Sequence, residues 1–332
     1  LYTSQELKDA LDHCISCKGC KNDCPASVDM ARLKAEFTQG WHDRNGGSLA
    51  AKMFAYVPDI TRIPQAIPGA MAIANFGQHS KIGKFLLKRV LKVSDKRMLP
   101  TFASKSFYAQ FKKREASVLD PVGTVVLFAD EFTDRYEPEI GLAAVDLLEA
   151  GGYKVIVPKI HNSGRGALSK GFLREARKTI EENLRILEPY IDTVDAIVGV
   201  EPSSVLTLVD EALDLPKDPA MRELAKKIAP KVMLVPDFVA KASEEGRWRG
   251  EWVDDARHIL FHGHCHQKAL VGQAGMQKAL ALPPNYRVTT MNSGCCGMCG
   301  SFGYEEEHYD MSMAIGELVV FPTVRAADEQ TI

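Results

Sequence analysis

The stretch CISCKGCKNDCP places four cysteines, Cys14, Cys17, Cys20 and Cys24, within eleven residues. A run this dense leaves no room for an apolar core of its own, so the local chain must wrap around something that sulfur binds. The other four cysteines, Cys265, Cys295, Cys296 and Cys299, are gathered near the far end, and no thiol lies between the two groups. Disulfide scaffolds scatter their cysteines along short secreted chains, whereas C-x-x-C spacing in a chain of 332 residues favours metal. No apolar run approaches the ~18 residues of a membrane-spanning helix, and no leader of the signal-peptide kind is expected. A cytoplasmic location is expected, with peripheral placement at the inner face of a membrane as its variant. The formal net charge of -2 argues against nucleic acid as a partner. The chain opens on Leu1 rather than Met, and a piece of a longer polypeptide is expected.

The first group reads C-x2-C-x2-C-x3-C-P, the spacing of bacterial ferredoxins. Thiolates three residues apart in a tight loop can reach three corners of one iron–sulfur cube while backbone N–H groups point at its anionic sulfides. Pro25 then redirects the chain. A [4Fe-4S] cluster is therefore expected on Cys14, Cys17, Cys20 and Cys24, although in two-cluster ferredoxins the fourth cysteine serves the other cluster. Zinc is the rival, but zinc knuckles prefer two separated C-x2-4-C pairs.

Residues 1–45 form the expected ferredoxin-type segment, in which a helix after the loop carries Val28, Ala31, Ala35 and Trp41 on one face. Residues 46–117 form a basic helical connector. Between 46 and 115 there are thirteen Lys and Arg against Asp59, Asp95 and Glu115. The plain expectation is that its Leu, Phe and Val stripe packs on neighbouring helices and its lysines are solvated. The alternative is contact of residues 81–114 with anionic lipid or an acidic partner.

From Asp120 onward strands alternate with helices. TVVLFAD, YKVIVPK, DAIVGVEP, KVMLVPD and HILFHGH read as buried strands, and Leu173, Ala176, Ile180, Leu184 and Leu187 mark one helix face. This predicts an α/β fold with parallel strands, ligands collecting at their carboxyl ends. Shifting the chain against itself by 133 residues superposes Leu127 and Phe128 on Leu260 and Phe261, Tyr153 on Tyr286, Val155 on Val288 and Gly164 on Gly297. Two related Rossmann-like βαβ repeats are expected, 118–250 and 251–332. Asn162 and Ser163 of the first stand where the second has Cys295 and Cys296, and Phe132 stands opposite Cys265. The second repeat thus offers Cys265 after one strand and CCGMCG after the next, with Gly294, Gly297, Gly300 and Gly303 letting the backbone approach a bulky anionic centre. His262, His264 and His266 flank Cys265, so a cluster and a mixed Cys/His zinc site both remain open there.

CISCKGCKNDCPASVDMARLKAEF, HGHCHQKALVG and SGCCGMCGSFGYEEEHYDMSMAIGE together resemble the carboxyl-terminal iron–sulfur part of FAD-linked D-2-hydroxyacid dehydrogenases of the D-lactate dehydrogenase and glycolate oxidase type. The same CCG cysteine-rich domains occur in the anaerobic glycerol-3-phosphate dehydrogenase anchor subunit and in heterodisulfide reductase. The resemblance implies an electron-transfer component of an oxidoreductase, passing electrons from a flavin through [4Fe-4S] iron towards a quinone or another carrier. It implies FAD on a preceding domain or a partner subunit rather than on this chain, and no catalytic residue here. The chain departs from the family pattern at Asn162-Ser163-Gly164, where a first CCG is expected, and at Ser204, where EPSS replaces EPSC. A further family cysteine would fall just past Ile332, and Cys299 can substitute for it. Two other functions stay open: a metal-stabilised docking module without redox turnover, and thiol–disulfide chemistry at Cys295 and Cys296.

Overall fold

The structure is a computed structural model that describes residues 2–65, 67, 69–115 and 118–332. Ala116 and Ser117, at the expected boundary of the connector, and Ala66 and Pro68 of its proline-rich part lie outside the described residues.

Side-chain caps place the first helices. Ser4 accepts from the Leu7 N–H at the start of α1 (Gln5–Asp12), the cysteine loop holds the single turn α2 (Gly19–Asp23), and Asp29 accepts from the Arg32 N–H at the start of α3 (Met30–Asn45). The buried residue of α3 is Phe37; Val28 precedes the helix and is exposed, so the expected face is shifted. Only a residue within the helix shares its period, and Asp29 is the cap. The connector folds as α4 (Leu49–Gln65), α5 (Ala70–His79), α6 (Lys81–Leu91) and the short α7 (Phe107–Phe111).

Next come β1 (Gly123–Leu127), α8 (Glu131–Arg135), α9 (Pro138–Ala150), β2 (Tyr153–Ile156), α10 (Arg165–Ser169), α11 (Leu173–Leu187), β3 (Ala196–Gly199), α12 (Pro202–Val205), α13 (Glu211–Asp214), α14 (Pro219–Ile228), β4 (Val232–Leu234) and α15 (Val235–Glu244). The four strands form one parallel sheet in the order β2-β1-β3-β4. Side chains alternate across it. Val126 and Ile197 meet Ile180 and Leu184 of α11 and Ile228 of α14 on one face, while Val125, Leu127 and Val198 meet Val145 and Leu148 of α9 and Phe238 of α15 on the other. Of the predicted α11 face, Ala176, Ile180, Leu184 and Leu187 are buried.

The second half is thinner. β5 (Arg257–Phe261), α16 (Cys265–Leu270), α17 (Ala274–Leu280) and β6 (Tyr286–Thr290) make a two-stranded parallel βαβ unit, followed by α18 (Tyr309–Leu318) and α19 (Val320–Ala326). The backbone of Ile332 extends its edge by exchanging hydrogen bonds with His258 (3.0 Å) and Leu260 (2.8 Å). The 133-residue shift carries β2 onto β6 and brings β1 within one residue of β5. It also aligns Gly164 with Gly297, both in the left-handed region at φ 86° and 87°. A side chain at Gly297 would put its Cβ 2.0 Å from the Ser312 carbonyl oxygen, so this turn needs glycine on two counts.

The order β2-β1-β3 makes the chain leave β1 to one side and return on the other. The carboxyl ends of β1 and β3 therefore open the crevice at which such sheets bind ligands, and the loop that follows β3 brings Glu201 within 3.8 Å of His264, next to Cys265.

Candidate functional site

The two cysteine groups, remote in sequence, meet in space. α2 packs on α16, and the buried His266 of α16 donates from Nε2 to the Ser16 carbonyl inside the first loop (3.0 Å). Burial pushes the Cys17 thiol up; the Gly19 N–H opposes this, and the sulfurs of Cys295, Cys14 and Cys20 reinforce it. Cys17 thus belongs electrostatically to both groups.

The first loop is shaped so that N–H groups face sulfur. Ser16, Lys18 and Ser27 all take positive φ, and the turns they make aim backbone N–H groups at thiols. The Met30 N–H lies 3.3 Å from Cys20 Sγ. Cys24 is held below the ordinary thiol range by the N–H groups of Val28, Ala26 and Ser27. Lys34 Nζ donates to the Cys14 carbonyl (2.7 Å), fixing the entry to the loop.

In the second group Cys295 is the hub. Its Sγ is 3.1 Å from that of Cys299, and Cys265 and Cys296 bear on it electrostatically. These three thiols and the Gly297 N–H (3.2 Å) hold Cys295 strongly towards thiolate against the effect of burial. The same contacts push Cys265, Cys296 and Cys299 up. One thiolate ringed by three thiols is a donor set that a cation relieves: a bound metal lets all four ionise without mutual repulsion. Lys268 ties α16 to this turn by donating to the carbonyls of Ser293 (2.7 Å) and Gly294. The histidines are engaged elsewhere. His262 bonds the Ser293 hydroxyl (2.6 Å), His264 stands 3.8 Å from Glu201, and His266 serves Ser16, leaving its buried Nδ1 unpartnered among the described residues. Burial lowers the His266 pKa to about 3, so its ring is neutral. The four thiols and the unpartnered His266 Nδ1 are the donors that this turn and α16 offer.

The equivalent place in the first half is closed by oxygen. Glu131 accepts from the Ser163 N–H (2.7 Å) and hydroxyl (2.9 Å), and Asp130 caps α8 through the Phe132 N–H (2.8 Å) and the Thr133 hydroxyl (3.0 Å). Asn183 donates to the Asn162 carbonyl (2.9 Å). The positions that lack cysteine form a hydrogen-bonded polar core, with Ser204 buried behind it.

A buried charge network that spacing does not announce locks the first loop to this half. Lys18, 2% exposed, donates to Asp210 (2.6 Å) and pairs with Glu211 (2.9 Å) and Asp29 (3.3 Å). Lys21 reaches Asp210 (2.5 Å), and Arg165 grips both Glu211 oxygens at 2.8 Å. Burial alone would raise the Glu211 carboxyl, but Arg165 and Lys18 override it and hold it at about 2. With the folded value depressed, the stability Glu211 contributes is fully present above its unfolded value of 4.5 and is lost as pH falls towards about 2. The stability gap between wild type and Glu211→Gln, measured by urea unfolding, is thus expected to be largest near neutrality and to shrink by up to about 3 kcal/mol between about pH 5 and pH 2. A gap that does not change with pH would contradict the pairing.

Comparison with known proteins returns the kinds of protein that the cysteine motifs resemble. The chain is 24% identical over 339 residues to a D-2-hydroxyglutarate dehydrogenase of Pantoea ananatis, covering 98% of this chain and 32% of that protein. The corresponding Escherichia coli enzyme is 25% identical over 331 residues, covering 95% and 31%. A subunit of the Escherichia coli anaerobic glycerol-3-phosphate dehydrogenase is 24% identical over 259 residues, covering 74% and 61%. The chain spans about a third of the length of the D-2-hydroxyglutarate dehydrogenases it matches. No family model matches the chain, and no solved structure does.

Proposed function

We propose that this chain is the iron–sulfur electron-transfer part of an FAD-linked 2-hydroxyacid dehydrogenase. The observation that carries the reading is the meeting of two thiol groups, one of ferredoxin spacing, in a single N–H-lined place. Cys14, Cys17, Cys20 and Cys24 would hold a [4Fe-4S] cluster, and Cys265, Cys295, Cys296 and Cys299 a second sulfur-ligated redox centre. Bound there, such a cluster supplies one-electron storage. The chain's own residues supply the rest: N–H groups directed at Cys17, Cys20, Cys24 and Cys295 stabilise negative sulfur and so raise the potential. The Lys18 network holds the loop without adding a free charge beside it. Hydride chemistry belongs to a flavin on a preceding domain or partner subunit. The acceptor is a quinone or a comparable carrier, and the substrate a 2-hydroxyacid such as D-lactate, glycolate or D-2-hydroxyglutarate.

The test is a redox cycle on anaerobically purified protein. The visible absorbance is expected to bleach with dithionite and to recover when a soluble quinone analogue is added. A colourless protein that takes up no reducing equivalents would leave a docking module. The oxygen-filled first half favours a structural role for that half alone, since Ser163 and Glu131 satisfy each other.

A further inference from the structure

The α4–α6 region carries more apolar surface than its docked side uses. That side holds Met71, Asn75 and His79 of α5 and Leu87, Lys88 and Leu91 of α6, and a second apolar side looks outward. In α5, Asn75 exchanges hydrogen bonds with the backbone of Phe102 (2.8 and 2.9 Å), and His79 bonds the Leu99 carbonyl (3.0 Å), while Ile73 and Phe76 on the opposite side are 75% and 78% exposed. In α6, Lys88 turns to Asp95 (3.1 Å) and Glu306 (3.6 Å), while Ile82 and Phe85 are 75% and 65% exposed and Val90 continues the stripe. Ile63, at the end of α4, extends it. The expected packing of this stripe on its neighbours holds for Leu87, Leu91 and Val93 and fails for Phe85, Leu86 and Val90, which face outward: periodicity shows that a stripe exists, but not which of its residues are docked.

The hairpin is rigid as well as exposed. Ser80 caps α6 through the Gly83 N–H (3.0 Å), and α5 and α6 approach so closely that a Cβ on Gly83 would lie 1.7 Å from the Gly77 oxygen. The surface is therefore formed in advance. Its charge is one-sided: from Ile60 to Ser94 the sequence has six Lys and Arg and no acid. Among the described residues Arg62, Lys81, Lys84 and Arg89 have no ion-pair partner. Large exposed apolar patches mark interaction sites, and aliphatic and aromatic side chains bordered by unpaired cations match the headgroup–acyl boundary of an anionic bilayer. No helix among the described residues is long and apolar enough to cross a membrane, so contact from the surface is the form open to these helices. The acids nearest this face, Asp95 and Glu306, are taken up by Lys88, so its unpaired charge is positive.

We infer that α5 and α6, with the end of α4, lie on an anionic lipid surface, Ile73, Phe76, Ile82 and Phe85 entering the interface and the flanking cations meeting lipid phosphates. This stands independently of the electron-transfer reading. The intact protein is mixed with phosphatidylglycerol–phosphatidylcholine vesicles or with phosphatidylcholine alone, and sedimented. Binding is expected to the anionic vesicles, to weaken at high salt, and to fall about ten-fold or more in Ile82→Glu/Phe85→Glu and in Lys81→Gln/Arg89→Gln. These positions are exposed, so circular dichroism and the thermal midpoint should not move. Absence of binding at low salt overturns the inference, as does binding unchanged in Ile82→Glu/Phe85→Glu. If that variant instead weakens assembly with a flavoprotein partner and leaves vesicle binding intact, the face is a protein interface and the inference also fails.

Discussion

Replacing Lys18 with methionine is expected to cost about 3–5 kcal/mol of stability, the range for breaking a buried ion pair from one side. Methionine keeps the length of the side chain but removes the cation that Asp29, Asp210 and Glu211 share, leaving this buried group with one negative charge in excess. Lys21 on Asp210 and Arg165 on Glu211 compensate in part, which places the expected cost at the lower end of that range. The cost should fall substantially in Lys18→Met/Asp210→Asn, where the excess negative charge is removed as well. Urea unfolding of the single and double variants measures it. A loss below about 1 kcal/mol for Lys18→Met would show that the network is not buried as described. Because Lys18 sits between Cys17 and Cys20, the single variant should also retain metal less well than wild type.

Cys295→Ser is the second large effect. Cys295 is the sulfur that touches Cys299 and receives the Gly297 N–H, and its neighbours favour its ionised form, so serine there removes the best anionic donor of the group. Metal bound at the second group is expected to be lost, while the first group keeps its own. Cys299→Ala should be milder, since the contacts of Cys265 and Cys296 with Cys295 remain. Metal analysis on the variants distinguishes them; equal losses from both would mean that Cys295 is not the hub. Loss of the first centre in Cys295→Ser would mean that the two groups hold one shared centre.

Much of the architecture is legible in the residues themselves. Val125, Val126, Leu127 and Phe128 form a continuous apolar run because a parallel strand is covered on both faces, and Ile180 and Leu184 repeat at helical spacing because one side of α11 is buried. Glycine at positions 164 and 297 is readable because the same left-handed turn recurs. Other features are not legible, for physical reasons. Nothing near Lys18 in sequence reveals that a lysine between two cysteines is buried, since its partners lie at Asp210 and Glu211. Periodicity locates the apolar stripe of α6 but not its direction, which depends on what Lys88 and Asn75 bond. The approach of Cys17 to Cys295 depends on α2 resting on α16, a contact between segments hundreds of residues apart. The second half matches the first in motif order, yet among the described residues it carries two strands where the first carries four.

The most direct test of the account is iron and acid-labile sulfide analysis of anaerobically purified protein, with low-temperature EPR after dithionite reduction, in the native chain and in Cys17→Ser. The account predicts at least about four irons and as many sulfides per chain, with a reduced-cluster signal that Cys17→Ser abolishes. Zinc alone, with no reducible signal in the native protein, would contradict it.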